Sequence, residues 1–132
     1  MIRISTESGL RHSIEIGDHL LHTDVSQSLG GNASGPEPHD LFDAALGACK
    51  ALTLMLYAKQ RGLPLDSLDV RLSRDDSQER QGIYHLAVEL NLHGALDAEQ
   101  RQQLLRIADK CPVHKLMTSA EVQVETRLGA DT

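Results

Sequence analysis

The sequence predicts an α+β domain, an antiparallel sheet with two main helices packed on it. Three observations carry that expectation. Residues 68–72 and 84–93 alternate apolar and polar side chains with period two, the mark of strands with one wet face. The run HDLFDAALGACKALTLMLYAKQRG, from His39 to Gly62, is the longest apolar, helix-favouring stretch in the chain. Asp97 and Gln100 have the spacing of a capping box that opens a second helix. With 132 residues, 40% of them hydrophobic and 24% charged, the chain suits one domain with a core of its own.

In chain order, residues 1–26 read as N-terminal strands at Met1–Ser5, His12–Ile16 and Leu20–Val25, parted by turn formers at Ser8-Gly9 and Gly17-Asp18. Residues 27–39 form a polar loop rich in Gly, Pro and Asn, long enough to be functional and placed to shape a pocket mouth. The central helix is expected over 40–61. His39 or Asp40 caps it, Asp40 and Asp43 sit at its positive end, and Lys59 and Arg61 at its negative end; Gly62 and Pro64 stop it. Its faces carry Leu41, Phe42, Leu46, Leu52, Leu54 and Leu56 with almost no polar side, so it should be buried all round. One small sheet covers only one side, which points to a homodimer. Two strands follow over 67–93, joined by the polar connection Arg74–Gln81. A helix over 97–111 sets Leu104, Leu105, Ala108 and Cys111 on one stripe and ends at Pro112. A last strand is expected over 120–128, where Val122, Val124, Thr126 and Leu128 alternate with polar residues.

Several function classes fall away. A net charge of −6 with a single Phe, two Tyr and no Trp argues against a nucleic-acid groove. The 27–40 loop lacks the Gly-Lys-Ser/Thr ending of a phosphate-cradling P-loop. Lys50 interrupts the best membrane-spanning candidate, and the first residues carry no apolar leader segment, so a cytoplasmic protein without membrane contact is expected. The two cysteines lie 62 residues apart, which excludes a C-x-x-C motif and allows one intrachain bridge.

Those cysteines are the leading candidates for chemistry. Cys49 shares a helix face with Phe42, Ala45, Leu52 and Leu56, and a small buried hydrophobe is the ordinary role of such a thiol. Cys111 sits at a helix end, where backbone N–H groups can favour a thiolate. The core-facing stripes of the two helices could bring both thiols together, so inert core and redox pair both stand at this point. His39 heads the Cys49 helix and His114 follows Cys111 by three; each reads as a cap or surface histidine unless it meets a thiolate. Their spacing with the cysteines fits no structural zinc pattern, and no metal is expected. Arg3 and Arg11 lie in the first strands, where an arginine matters only if it meets an anionic atom.

The run PHDLFDAALGAC at 38–49, with ADKCPVH at 108–114, resembles the OsmC/Ohr family of osmotically inducible and organic hydroperoxide resistance proteins. The likeness extends from about Gly35 to Leu128 through KALTLMLYAKQRGLPL and LDAEQRQQLLRIADKCPV. It implies a swapped homodimer of α+β subunits with the cysteine-bearing helix buried centrally. It further implies peroxidase activity on organic hydroperoxides, with Cys49 as the attacking thiolate and Cys111 as the resolving thiol. No cofactor is implied beyond an external dithiol reductant. Family peroxidases carry a glutamate ten residues before the first cysteine, orienting an arginine; that position is His39 here, with Asp40 beside it. Arg11 is the best positional match for the arginine. His39, Arg11 and Asp40 are thus the expected thiolate-activating residues, and Phe42 and His114 the expected pocket residues. The departure at His39 keeps open a dimeric binding or thiol-sensing protein without peroxidase turnover.

Overall fold

The computed structural model describes residues 1–132, which fall into two compact units. The first unit comprises Met1–Ala45 and Arg74–Leu86. It holds strands β1 (Ile2–Ser8), β2 (Arg11–Ile16) and β3 (His19–Thr23) in one antiparallel sheet of order β1-β2-β3. Ile14 of the central strand faces Ile4 on one side and Leu21 on the other. A bulge between Thr6 and Ser8 shifts the β1 register. Ile14 is buried, whereas Ile2, Ile4 and Leu20 are open.

Asp24 organises the loop that follows. Its carboxylate accepts the Ser34 hydroxyl at 2.6 Å and the backbone N–H groups of Val25, Ser34 and Asn32 at 2.8, 3.1 and 3.2 Å. These bonds, the Ser34 hydroxyl foremost, hold Asp24 down to a pKa of about 2. The stretch expected as plain loop therefore has internal structure, including a short 3-10 helix at Gln27–Leu29.

Helix α1 runs Pro38–Arg61, starting two residues before the expected 40. Proline suits a first helical turn because its missing N–H would be unpaired there anyway. Asp40 caps from inside the helix, not from its edge: its Oδ2 accepts the Glu37 N–H at 3.0 Å. At the far end Gly62 takes a left-handed φ of 66°, and the Leu63 N–H turns back to the Ala58 carbonyl at 2.9 Å.

The second unit comprises Leu46–Ser73 and Ala87–Thr132. Its core joins Leu54 and Ala58 of α1 to Leu65, Leu96, Leu104 and Ala108, with Leu68, Leu90 and Leu92 packed against them. Strands β4 (Ser67–Asp75) and β5 (His85–His93) form a two-stranded sheet with the anticipated alternation in burial. Helix α2 (Ala98–Ala108) opens on Asp97, whose carboxylate takes the Gln100 N–H at 2.8 Å while the Gln100 amide oxygen takes the Asp97 N–H at 3.0 Å.

Three expectations need correction. The second helix ends at Ala108 rather than 111, because a residue before proline is pushed out of the helical region; Cys111 (φ −67°, ψ 142°) instead stands ahead of a third helix, α3 (Pro112–Thr118). Residues 120–128 form no strand: a strand needs an edge to pair with, no ladder partner is present within the chain, and Val122, Val124 and Leu128 are exposed. Within the single chain, helix α1 is covered on one side: Leu46, Lys50, Leu54 and Ala58 are buried, while Leu52 and Leu56 are 64% and 58% exposed. Finally, Lys50 does not disqualify α1 by composition, for its most apolar window still averages a mean hydropathy of 1.4, enough by length and composition to cross a membrane. Lys50 itself is buried within the fold.

Candidate active site

The second unit brings the two cysteines together. Cys49 lies half-buried on α1, one turn before Thr53, whose hydroxyl is 4.0 Å from its sulfur. Cys111, fully buried ahead of α3, lies near enough to Cys49 for that thiol to act on its ionisation. Both are free thiols. Burial is the main force pushing the Cys111 thiol up, and its contact with Cys49 adds to it. The His114 backbone N–H and the charge of Lys50 act the other way, although no full capping hydrogen bond reaches the sulfur. A half-open thiol against a closed one is the arrangement that lets the first meet a small solute and the second close onto it.

Lys50 was not among the expected site residues. It is 3% exposed, and its ammonium donates to the Ala108 carbonyl at 2.8 Å, His114 Nδ1 at 3.0 Å and Asp109 Oδ1 at 3.3 Å. His114 therefore belongs with the thiols, held through its ring to Lys50. A lysine inside an otherwise apolar helix was the signal: a buried cation must find acceptors.

The other expected residues lie in the first unit. His39 Nε2 meets Glu79 Oε1 at 2.6 Å, and the His39 and Tyr84 rings lie 5.9 Å apart. Asp40 pairs with Arg74, which also reaches Asp43 Oδ2 through Nε at 2.6 Å. The Tyr84 hydroxyl donates to Asp43 Oδ1 at 2.7 Å. Asp40 is held below the usual carboxylate range by the Glu37 N–H and then by Arg74. Burial and the Asp43 carboxylate push Tyr84 up to about 12. Phe42 packs edge-on to Tyr84 at 5.8 Å, and with Pro38, His39 and Glu79 these residues line a hollow of about 360 Å³. Arg11 is engaged by Glu7 at 3.2 Å and by the Ser34 carbonyl at 2.9 Å. Arg74, Asp43 and Tyr84 went unforeseen. Asp40 and Asp43, three apart on one helix face, call for a cation, yet nothing in the sequence says that it comes from the end of β4.

The family model for OsmC-like proteins matches residues 30–127. The chain belongs to the OsmC family. None of the curated proteins matches its sequence significantly. Among solved structures, the OsmC-like protein of Mycoplasma pneumoniae superposes with a TM-score of 0.75 at 14% identity, over 90% of this chain and 86% of that one. An organic hydroperoxide resistance protein of Elizabethkingia anophelis gives a TM-score of 0.63 at 24% identity, over 90% and 89%. The organic hydroperoxide resistance protein OsmC of Legionella pneumophila gives 0.62 at 22%, over 90% of each chain. At these identities the likeness establishes the OsmC fold.

Proposed function

We propose that this OsmC-family chain is a thiol-dependent hydroperoxide reductase that works as a cytoplasmic homodimer. The observation that supports it most is the nearness of the half-buried Cys49 thiol to the buried Cys111 thiol, whose ionisation it influences. The Cys49 thiolate attacks one oxygen of the hydroperoxide, the O–O bond breaks, and the alkoxide takes up a proton and leaves as alcohol. Cys49 is then a sulfenic acid. Cys111 attacks that sulfur, forming the Cys49–Cys111 disulfide and releasing water. An external dithiol returns two electrons and restores both thiols. The reaction calls for no metal or organic cofactor. The names of the Elizabethkingia and Legionella relatives support organic hydroperoxides as the substrate class. The exposed apolar side chains Leu52, Leu56, Val122 and Val124 support a second copy covering them, as in a swapped dimer.

One observation favours a second reading, a dimeric binding or thiol-sensing protein without turnover. His39, standing where family peroxidases carry glutamate, is bonded to Glu79. The test is consumption of cumene hydroperoxide with dithiothreitol. Wild-type protein should turn over, Cys49→Ser should abolish turnover, and Cys111→Ser should stop after one turnover with an oxidised Cys49. Free thiols counted after one equivalent of peroxide decide the mechanism: if both thiols of each chain survive, no disulfide forms and the peroxidase reading fails.

A further inference from the structure

Lys50 is a buried titratable group that the chemistry above does not use. It follows Cys49 directly in α1, and its three contacts bracket the other cysteine: Ala108 and Asp109 precede Cys111, and His114 follows it. An ammonium has three donors, and all three are spent on the two flanks of Cys111. Only one of the acceptors is anionic, and that one, Asp109, has a side chain 74% exposed and lies at 3.3 Å. The Lys50 charge is thus incompletely neutralised in a dry site, where its field reaches farther than in water. Among the groups that face it there, namely Cys49, Asp109, Cys111 and His114, the Cys111 thiol is the one whose negative charge lacks solvent. Burying an ammonium is costly, and a neutral side chain would pack as well.

We infer that Lys50 is the positioning residue of the reductive half-reaction, clamping the segment around Cys111 and holding the negative charge that develops on that sulfur as it leaves the disulfide. The inference rests on the Cys49–Cys111 pair proposed above and adds a direction to its reduction. Cys49 is the sulfur open to solvent, so the thiolate of an external dithiol attacks there. The Cys49–Cys111 S–S bond breaks, its electron pair goes to Cys111, and a mixed disulfide forms on Cys49. The second thiol of the reductant then displaces the Cys49 thiolate and leaves as the oxidised cyclic disulfide. A thiol's leaving rate rises as its pKa falls, and Lys50 acts on that quantity.

The test uses full-length protein oxidised with diamide, which forms the disulfide without any peroxide step. Reduction by dithiothreitol is followed at constant pH in the wild type, Lys50→Met, Lys50→Arg and Asp109→Asn. Loss of a close cation raises a thiol's pKa by about 1–3, so Lys50→Met should slow reduction about tenfold. In a Cys49→Ser background, the thiolate absorbance of Cys111 should titrate at higher pH with methionine at position 50. Lys50→Arg should recover most of the rate. Asp109→Asn, a surface change, should speed reduction by up to about threefold because it unmasks the Lys50 charge. Wild-type rate and titration in a folded Lys50→Met overturn the inference, as does arginine no better than methionine. If Lys50→Met fails to fold, Asp109→Asn decides, and an unchanged or slower rate overturns it. Failure of hydroperoxide consumption, with these Lys50 effects intact, removes the peroxidase reading and leaves the Lys50 role standing.

Discussion

Gly94 joins β5 to the turn before α2, and replacing it with alanine tests the packing that fixes the second unit. Its φ is +145°, a conformation that side-chain-bearing residues rarely adopt. A Cβ there would collide with the Pro64 carbonyl oxygen and lie 3.0 Å from the Pro64 carbonyl carbon and 3.1 Å from the Asp66 nitrogen. All three are backbone atoms, and the Asp66 N–H is itself bonded to the His93 carbonyl at 2.8 Å, so none can rotate aside. Backbone strain contributes about 1–3 kcal/mol and overpacking about another 1–3 kcal/mol. Gly94→Ala should therefore cost about 2–6 kcal/mol, a large share of the roughly 5–15 kcal/mol that holds a domain together. Gly62→Ala is the control: its φ is also positive, at +66°, but nothing lies within 4 Å of the added carbon. Only the left-handed penalty of about 1–2 kcal/mol applies there. Urea unfolding at fixed protein concentration, with a slope of about 1–3 kcal/mol per molar, should place the Gly94→Ala midpoint about 1–3 M below wild type. Gly62→Ala should lose less than about 1 M. Equal midpoints for the two variants would show that the clash adds nothing and would refute the reasoning.

Two further outcomes concern titrating groups in the first unit. Asp24 has a folded pKa of about 2 against an ordinary 3.8, so its contribution to stability is complete above about 4 and is lost as pH falls toward 2. Asp24→Asn should flatten that part of the acid-unfolding profile and raise amide exchange at Asn32 and Ser34, whose N–H groups it binds; unchanged exchange would refute the anchor. The phenol of Tyr84 should ionise at about pH 12, followed by its absorbance in a Tyr57→Phe background. Asp43→Asn should bring it down part of the way only, since burial is the larger cause; a full return to 10 would refute that order.

The fold was legible where periodicity and caps are local signals. The β4–β5 alternation, the Asp97–Gln100 capping box and the stop at Gly62 all depend on residues within a few positions of each other, and all are present. Residues 120–128 show the limit of the same signal. Val122, Val124 and Leu128 alternate as a strand should, yet alternation states only which side chains share a face and never which edge the backbone will pair with. Cys111 was misplaced by three residues of helix for a local reason as well. An apolar stripe ran through it, but the proline behind it decides the backbone, and steric exclusion outweighs a hydrophobic preference.

The candidate site was legible as chemistry and illegible as electrostatics. Two thiols, one on a helix and one ahead of a helix, can be read as a pair, because each carries its own reactive atom. Whether a charge touches them depends on long-range packing, which no local pattern states. Arg11 is singled out only as the positional match for the family arginine; its guanidinium is bonded to Glu7 and Ser34, while Arg74 is the cation that answers Asp40 and Asp43. The sequence pattern alone makes Lys50 an interruption in an apolar run. A polar residue at an otherwise greasy position carries more information than that, since the fold must supply acceptors or leave the charge unpaired at a cost. Methionine at position 50 would have filled the same space with no acceptors to find. That the chain instead ties an ammonium to both flanks of a buried thiol makes packing an insufficient reason for it, and the sulfur between those flanks is the group whose charge it can serve.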